Sequence, residues 1–119
     1  MDLSMEPRAK NMQYRITIQG RESTIGIGKD IIRGLGYPKF VKFLVNEAYD
    51  ELLFVPCEDH DPMSFKVPDD LFDPEAKFRI YSKPFVRDIM ERNDLSKTRT
   101  HLFHGVKHTK ENAIVFQLR

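Results

Sequence analysis

The chain has 119 residues, of which 40% are hydrophobic and 31% charged, and a formal net charge of +1 at pH 7. This length allows one compact domain or two very small halves sharing a core, and the composition is too apolar for wholesale disorder. The longest apolar runs, Phe40 to Val45 and Leu52 to Val55, are strand-sized rather than membrane-spanning, and the lone Cys57 excludes an internal disulfide.

Residues 1–13 are polar, hold Pro7 and show no period, so they read as a flexible N-terminal tail. Tyr14 to Gln19 alternates apolar and polar residues as a half-buried strand does, and Gly20-Arg-Glu-Ser supplies turn chemistry. Thr24 to Ile27 then leads into a short helix whose apolar residues Ile31, Ile32 and Leu35 share one face. Gly28 serves as a permissive N-cap and Gly36 as the stop, with Pro38 just beyond. Phe40 to Asn46 and Glu51 to Pro56 form a hairpin around a short loop.

Residues 57–76 hold many acids and three prolines, the pattern of a linker, with Phe65 to Pro68 as a short edge strand inside it. The second half opens with a strand over Lys77 to Tyr81. Ser82 then caps a helix from Lys83 to Asn93, whose buried stripe is Phe85, Val86, Ile89 and Met90. Thr98 to Val106 and Ala113 to Leu118 close the chain as a hairpin around Lys107 to Asn112.

The two halves, 14–56 and 77–119, therefore repeat one order: strand, short helix, hairpin. Lys29, Ile31, Ile32, Arg33 and Leu35 match Lys83, Phe85, Val86, Arg87 and Ile89 at constant spacing, and Leu53, Phe54 and Val55 match Ile114, Val115 and Phe116. A unit of this size buries too little apolar surface to stand alone, so two units packed about a pseudo-twofold axis would share one core.

Ile27-Gly-Lys-Asp-Ile-Ile-Arg33, followed by Leu35-Gly36 and the hairpin strands Val41 to Val45 and Leu52 to Val55, resembles the swapped-hairpin, looped-hinge helix family of AbrB, the MazE antitoxins and the SpoVT N-terminal domain. Gly28 stands where that pattern has proline. The resemblance implies a mainly β (α+β) fold, a double-split, swapped-hairpin β-barrel with two short helices and a pseudo-twofold internal repeat, like a dimer fused in one chain. It also implies a cytoplasmic regulator of transcription that binds double-stranded DNA. Carried over by position, Arg15, Arg21, Lys29 and Arg33 become nucleic-acid contacts, with Arg79, Lys83 and Arg87 in the second copy.

Charge is distributed in keeping with a polyanion-binding face: seven acids and two bases lie between Cys57 and Lys77, against nine bases and four acids from Phe78 to Arg119. The alternative from another class is a non-enzymatic protein-interaction module, antitoxin-like or accessory, with a protein partner or a second copy of the chain bound instead of DNA. No catalytic, cofactor or metal signature competes. His101 and His104 would point to opposite faces of a strand, and only His104 and His108 could meet across the hairpin. Cys57 and His60 lack a supporting group for nucleophilic chemistry. Asp59, Asp61, Asp69, Asp70 and Asp73 lack calcium-loop spacing, and Gly26 and Gly28 lack the third glycine and the Lys-Ser/Thr of a phosphate loop. Phe40, Phe43, Phe54, Phe103 and Phe116 offer base stacking as a minor alternative to filling the core. With no signal peptide and no cysteine pair, the expected setting is reducing and cytoplasmic, away from membranes.

Overall fold

The computed structural model describes residues 14–119; the tail expected over residues 1–13 lies outside them. Alternation in β1 (Tyr14–Gln19) turns Ile16 and Ile18 into the core and leaves Arg15 exposed. Ser23, at φ 54°, completes the turn, and β2 (Thr24–Ile27) returns antiparallel, with Ile25 beside Ile18 and Ile27 beside Ile16. A single residue, Gly28, separates β2 from α1 (Lys29–Gly34), which buries Ile31, Ile32 and, at its C-cap, Leu35. Gly36, at φ 88°, ends it: its N–H donates to Arg33 O at 3.0 Å and the Tyr37 N–H donates to Ile32 O at 2.9 Å.

The hairpin of β3 (Phe40–Val45) and β4 (Glu51–Pro56) forms where expected. The Asn46 side-chain oxygen accepts from the backbone N–H groups of Asp50 and Glu51, each at 3.0 Å, and this turns the loop. Within the acidic segment, β5 (Phe65–Lys66) pairs with β3, and Val67 and Leu71 enter the core. A segment that reads as linker thus helps to close the interior.

After β6 (Phe78–Ile80), α2 (Lys83–Arg92) buries Val86, Ile89 and Met90, while Phe85 stacks on Phe43 with ring centroids 5.6 Å apart. Ser82 holds the N-cap position without a side-chain hydrogen bond. Both strands of the last hairpin differ from expectation: β7 (Thr100–His108) starts and ends two residues later, and β8 (Ala113–Gln117) stops one residue sooner. Gly105 is a close-approach site, since a Cβ there would lie 2.6 Å from the Phe116 ring.

The strands form one antiparallel sheet in the order β5-β3-β4-β8-β7-β1-β2-β6, curled into a nearly closed barrel. The fold is mainly β with two short helices. Three of its pairings, β1 with β7, β2 with β6 and β4 with β8, join the front of the chain to the back. Register also corrects one residue match. Leu53 lies opposite Val115, whereas Leu52, Phe54, Ile114 and Phe116 face the interior, so matching Phe54 to Val115 is out of phase by one residue. Among the described residues, no helix is long and apolar enough to cross a membrane.

Candidate nucleic-acid interface

Four strands, β7, β1, β2 and β6, lie side by side and contain no aspartate or glutamate. On their outer face the registers set Leu102, Thr17, Gly26 and Arg79 in one row across the sheet. In the next row, Gly28 lies beside Arg15, with its N–H donating to Arg15 O at 3.0 Å. Continued by one residue, the β2–β6 register brings Lys77 to the other side of Gly28.

The result is a trough of about 400 Å³, floored by the two glycines. Arg15 and Thr17 line one wall and Lys77 and Arg79 the other, roughly 10 Å apart across two strand spacings. Lys29 stands at the end, where α1 begins, and Gln19, Leu102, Ala76 and the core residues Ile16, Ile27 and Phe78 complete the lining without any carboxylate. Lys29 Nζ donates to the backbone carbonyl of Asp73 at 2.8 Å, which fixes the ammonium without neutralising it. None of the four cations forms an ion pair with a described residue. Four positive charges around one hollow in a low-dielectric wall focus a field that attracts anions.

Gly28 is sterically required by a backbone atom, and Gly26 is crowded by a side chain that rotation can move. A Cβ at position 26 would meet Thr17 Oγ1 at 2.6 Å, and one at position 28 would meet Arg15 O at 2.7 Å. They form no phosphate loop; Gly26 is an outward position of β2 and Gly28 the residue that follows it, and their missing side chains leave the floor open.

Of the seven expected contacts, Arg15, Lys29 and Arg79 line this trough and Arg21, Arg33, Lys83 and Arg87 do not. Arg33 pairs with Asp30 at 2.7 Å and lies over the Phe72 ring. Arg87 Nε donates to Ser23 Oγ at 3.2 Å and Arg21 Nε to Thr98 O at 3.3 Å, so both are engaged around the β1–β2 turn. Lys83 is exposed at the start of α2. Lys77 is the addition. Its signal in the sequence is its i, i+2 spacing from Arg79, which puts both on one face of a strand.

The other candidates stand outside the trough, although His104 shares its outer face. Phe43, Phe54 and Phe116 are interior, with Phe54 edge-on to both of the others, so these rings are closed to stacking on bases. His101 lies within 2.9 Å of Ser96 O, while His104 is exposed opposite Arg15. No group of three His, Cys, Asp or Glu among the described residues is arranged to hold a metal. Burial, then the negative charge of Asp61, pushes the Cys57 thiol up, the reverse of what a nucleophile needs. Asp61 instead accepts a 2.8 Å bond from Lys42 that holds its carboxyl below, and the Lys42 ammonium above, their ordinary values. No protein-family model, curated protein or solved structure matches this chain.

Proposed function

We propose that the chain is a small cytoplasmic DNA-binding regulator of AbrB-like type, in which one strand–helix–hairpin motif is written twice and closes on its own copy. The observation that carries the reading is the trough: Arg15, Lys29, Lys77 and Arg79 converge on one sheet face with no carboxylate in its lining. Cations so placed neutralise phosphates and release their counterions.

The strand pairings support the duplication. Exchanging β1 with β5, from the connecting segment, β2 with β6, β3 with β7 and β4 with β8 converts β1–β7 into β5–β3 and β3–β4 into β7–β8; only β1–β2 lacks a counterpart, since β5 and β6 stand at the two ends of the sheet. The same exchange returns β2–β6 and β4–β8 to themselves, as pairings across a twofold axis must be.

The test is retention of duplex DNA on filters between about 50 and about 200 mM salt. Log affinity should fall linearly with log salt. Replacing Arg15, Lys29 and Arg79 together by Gln should flatten the slope by roughly 2 to 3, at about 0.9 for each phosphate no longer neutralised. No retention at the lowest salt, or an unchanged slope in the triple variant, overturns the reading. The protein-interaction alternative draws on Leu102 and Val106, 53% and 42% exposed on the outer face of β7. Apolar contact of that kind would hold as salt rises, whereas DNA retention would weaken.

A further inference from the structure

We infer that the trough is a discrete binding site for an oligophosphate group, two or more phosphates joined in a chain. The inference rests on the proposed function, since it uses the same cations as anion contacts. A duplex needs only a positive face, and cations spread over a flat sheet would provide one. Here Arg15 faces Lys77 and Arg79, with Lys29 at the end, over a floor from which two side chains are missing.

Arg15 and Lys77 face each other across Gly28, and Thr17 and Arg79 face each other across Gly26. A phosphate chain laid along β2 would therefore meet a cation at each of two successive rungs, Arg79 from β6 and Lys77 from the residue before that strand. From β1 it would meet a guanidinium at one rung and a hydroxyl at the other, with Lys29 at the end. Rungs on one strand face recur about every 7 Å, so a single orthophosphate reaches one rung while a linked pair or triplet spans both. Charge-assisted bonds from Arg and Lys to phosphate oxygens are among the stronger hydrogen bonds available to a protein. At about 400 Å³ the hollow is of ligand size. Every charged group in the lining is a cation, so the charge it recognises is that of the phosphates.

The experiment is calorimetric titration of the full chain, in low salt and without DNA, using orthophosphate, pyrophosphate, tripolyphosphate and ATP. Pyrophosphate and tripolyphosphate should bind one to one and at least about tenfold more tightly than orthophosphate. Lys77→Ala and Arg79→Ala should each weaken pyrophosphate about tenfold, and Lys110→Ala, in the distant β7–β8 turn, should leave it unchanged. Equal affinity for tripolyphosphate and ATP assigns the site to the phosphate chain itself; tighter ATP assigns it to a nucleotide.

A second variant separates shape from charge. Thr17→Ala removes the hydroxyl that a Cβ at position 26 would strike, and Gly26→Val then fills the floor with all four cations kept. The double variant should lose the pyrophosphate binding that Thr17→Ala alone retains. Absence of saturable pyrophosphate binding, or binding that survives this double variant, overturns the inference. DNA retention without pyrophosphate uptake would remove this inference and leave the regulator. Pyrophosphate uptake without DNA retention would do the opposite.

Discussion

Gly28 is held to its identity by a neighbour rather than by its own backbone. Its φ of −66° and ψ of 142° are angles that proline adopts readily, and proline occupies this position in the pattern the segment resembles. Yet the Gly28 N–H donates to Arg15 O at 3.0 Å, and a Cβ here would lie 2.7 Å from that same oxygen. Gly28→Pro removes the donor and crowds the acceptor, so it should cost about 1 kcal/mol, the scale of one lost backbone hydrogen bond. The readout is a lower urea midpoint with an unchanged slope. Gly28→Ala, which keeps the N–H, isolates the steric part. An unaltered midpoint in the proline variant would show that β1 and β2 do not depend on this rung.

At the level of elements, both helices end in the same way on different residues. Asp94, at φ 59°, takes the position after α2 that Gly36 takes after α1; its N–H donates to Glu91 O at 3.3 Å and the Leu95 N–H donates to Met90 O at 2.9 Å. A carboxylate there sits in a left-handed conformation and beside the negative end of the helix. Asp94→Gly should therefore stabilise the chain by roughly 0.5 to 1 kcal/mol, read as a higher denaturant midpoint. The stop after α1 was legible in the sequence because glycine marks it; the stop after α2 rests on an unmarked aspartate. The β3–β4 hairpin was legible because its alternation and turn are local. The start of β7 was not, because Thr98, for all its strand propensity, is held in a turn by a bond from its N–H to Ser96 Oγ at 3.2 Å. The same division governs the site. Alternation puts Arg15 on one strand exterior and Lys77 and Arg79 on another, but only the pairing of β2 with both β1 and β6 brings the two sets together. Arg87 is held by Ser23, 64 residues away, a contact no periodicity reveals.

Across the whole molecule, the ring order interleaves the chain so that neither half owns its sheet. β1 is held by β7, β4 by β8 and β6 by β2, so separating residues 14–56 from 77–119 would break all three joints and expose Ile16, Phe54 and Phe116 together. A structure knitted this way should open as one cooperative unit, with fraying confined to the break in the ring. That break lies between β5, which has two paired residues, and β6, which has three. Native-state hydrogen exchange should therefore give one common opening free energy for the amides of β4, β8, β7 and β1, lower protection in β6 and the lowest in β5. Two separate plateaus, one for each half of the chain, would mean that the halves hold themselves together and only dock. The strand joints would then be secondary to two independent cores. The single plateau has a consequence for the trough, whose walls come from β1 and β6 and whose floor is β2. Lys77 and Arg79 stand on the more labile edge while Arg15 stands on the rigid ring, so an anion bridging the two walls should raise protection in β6 more than in β1.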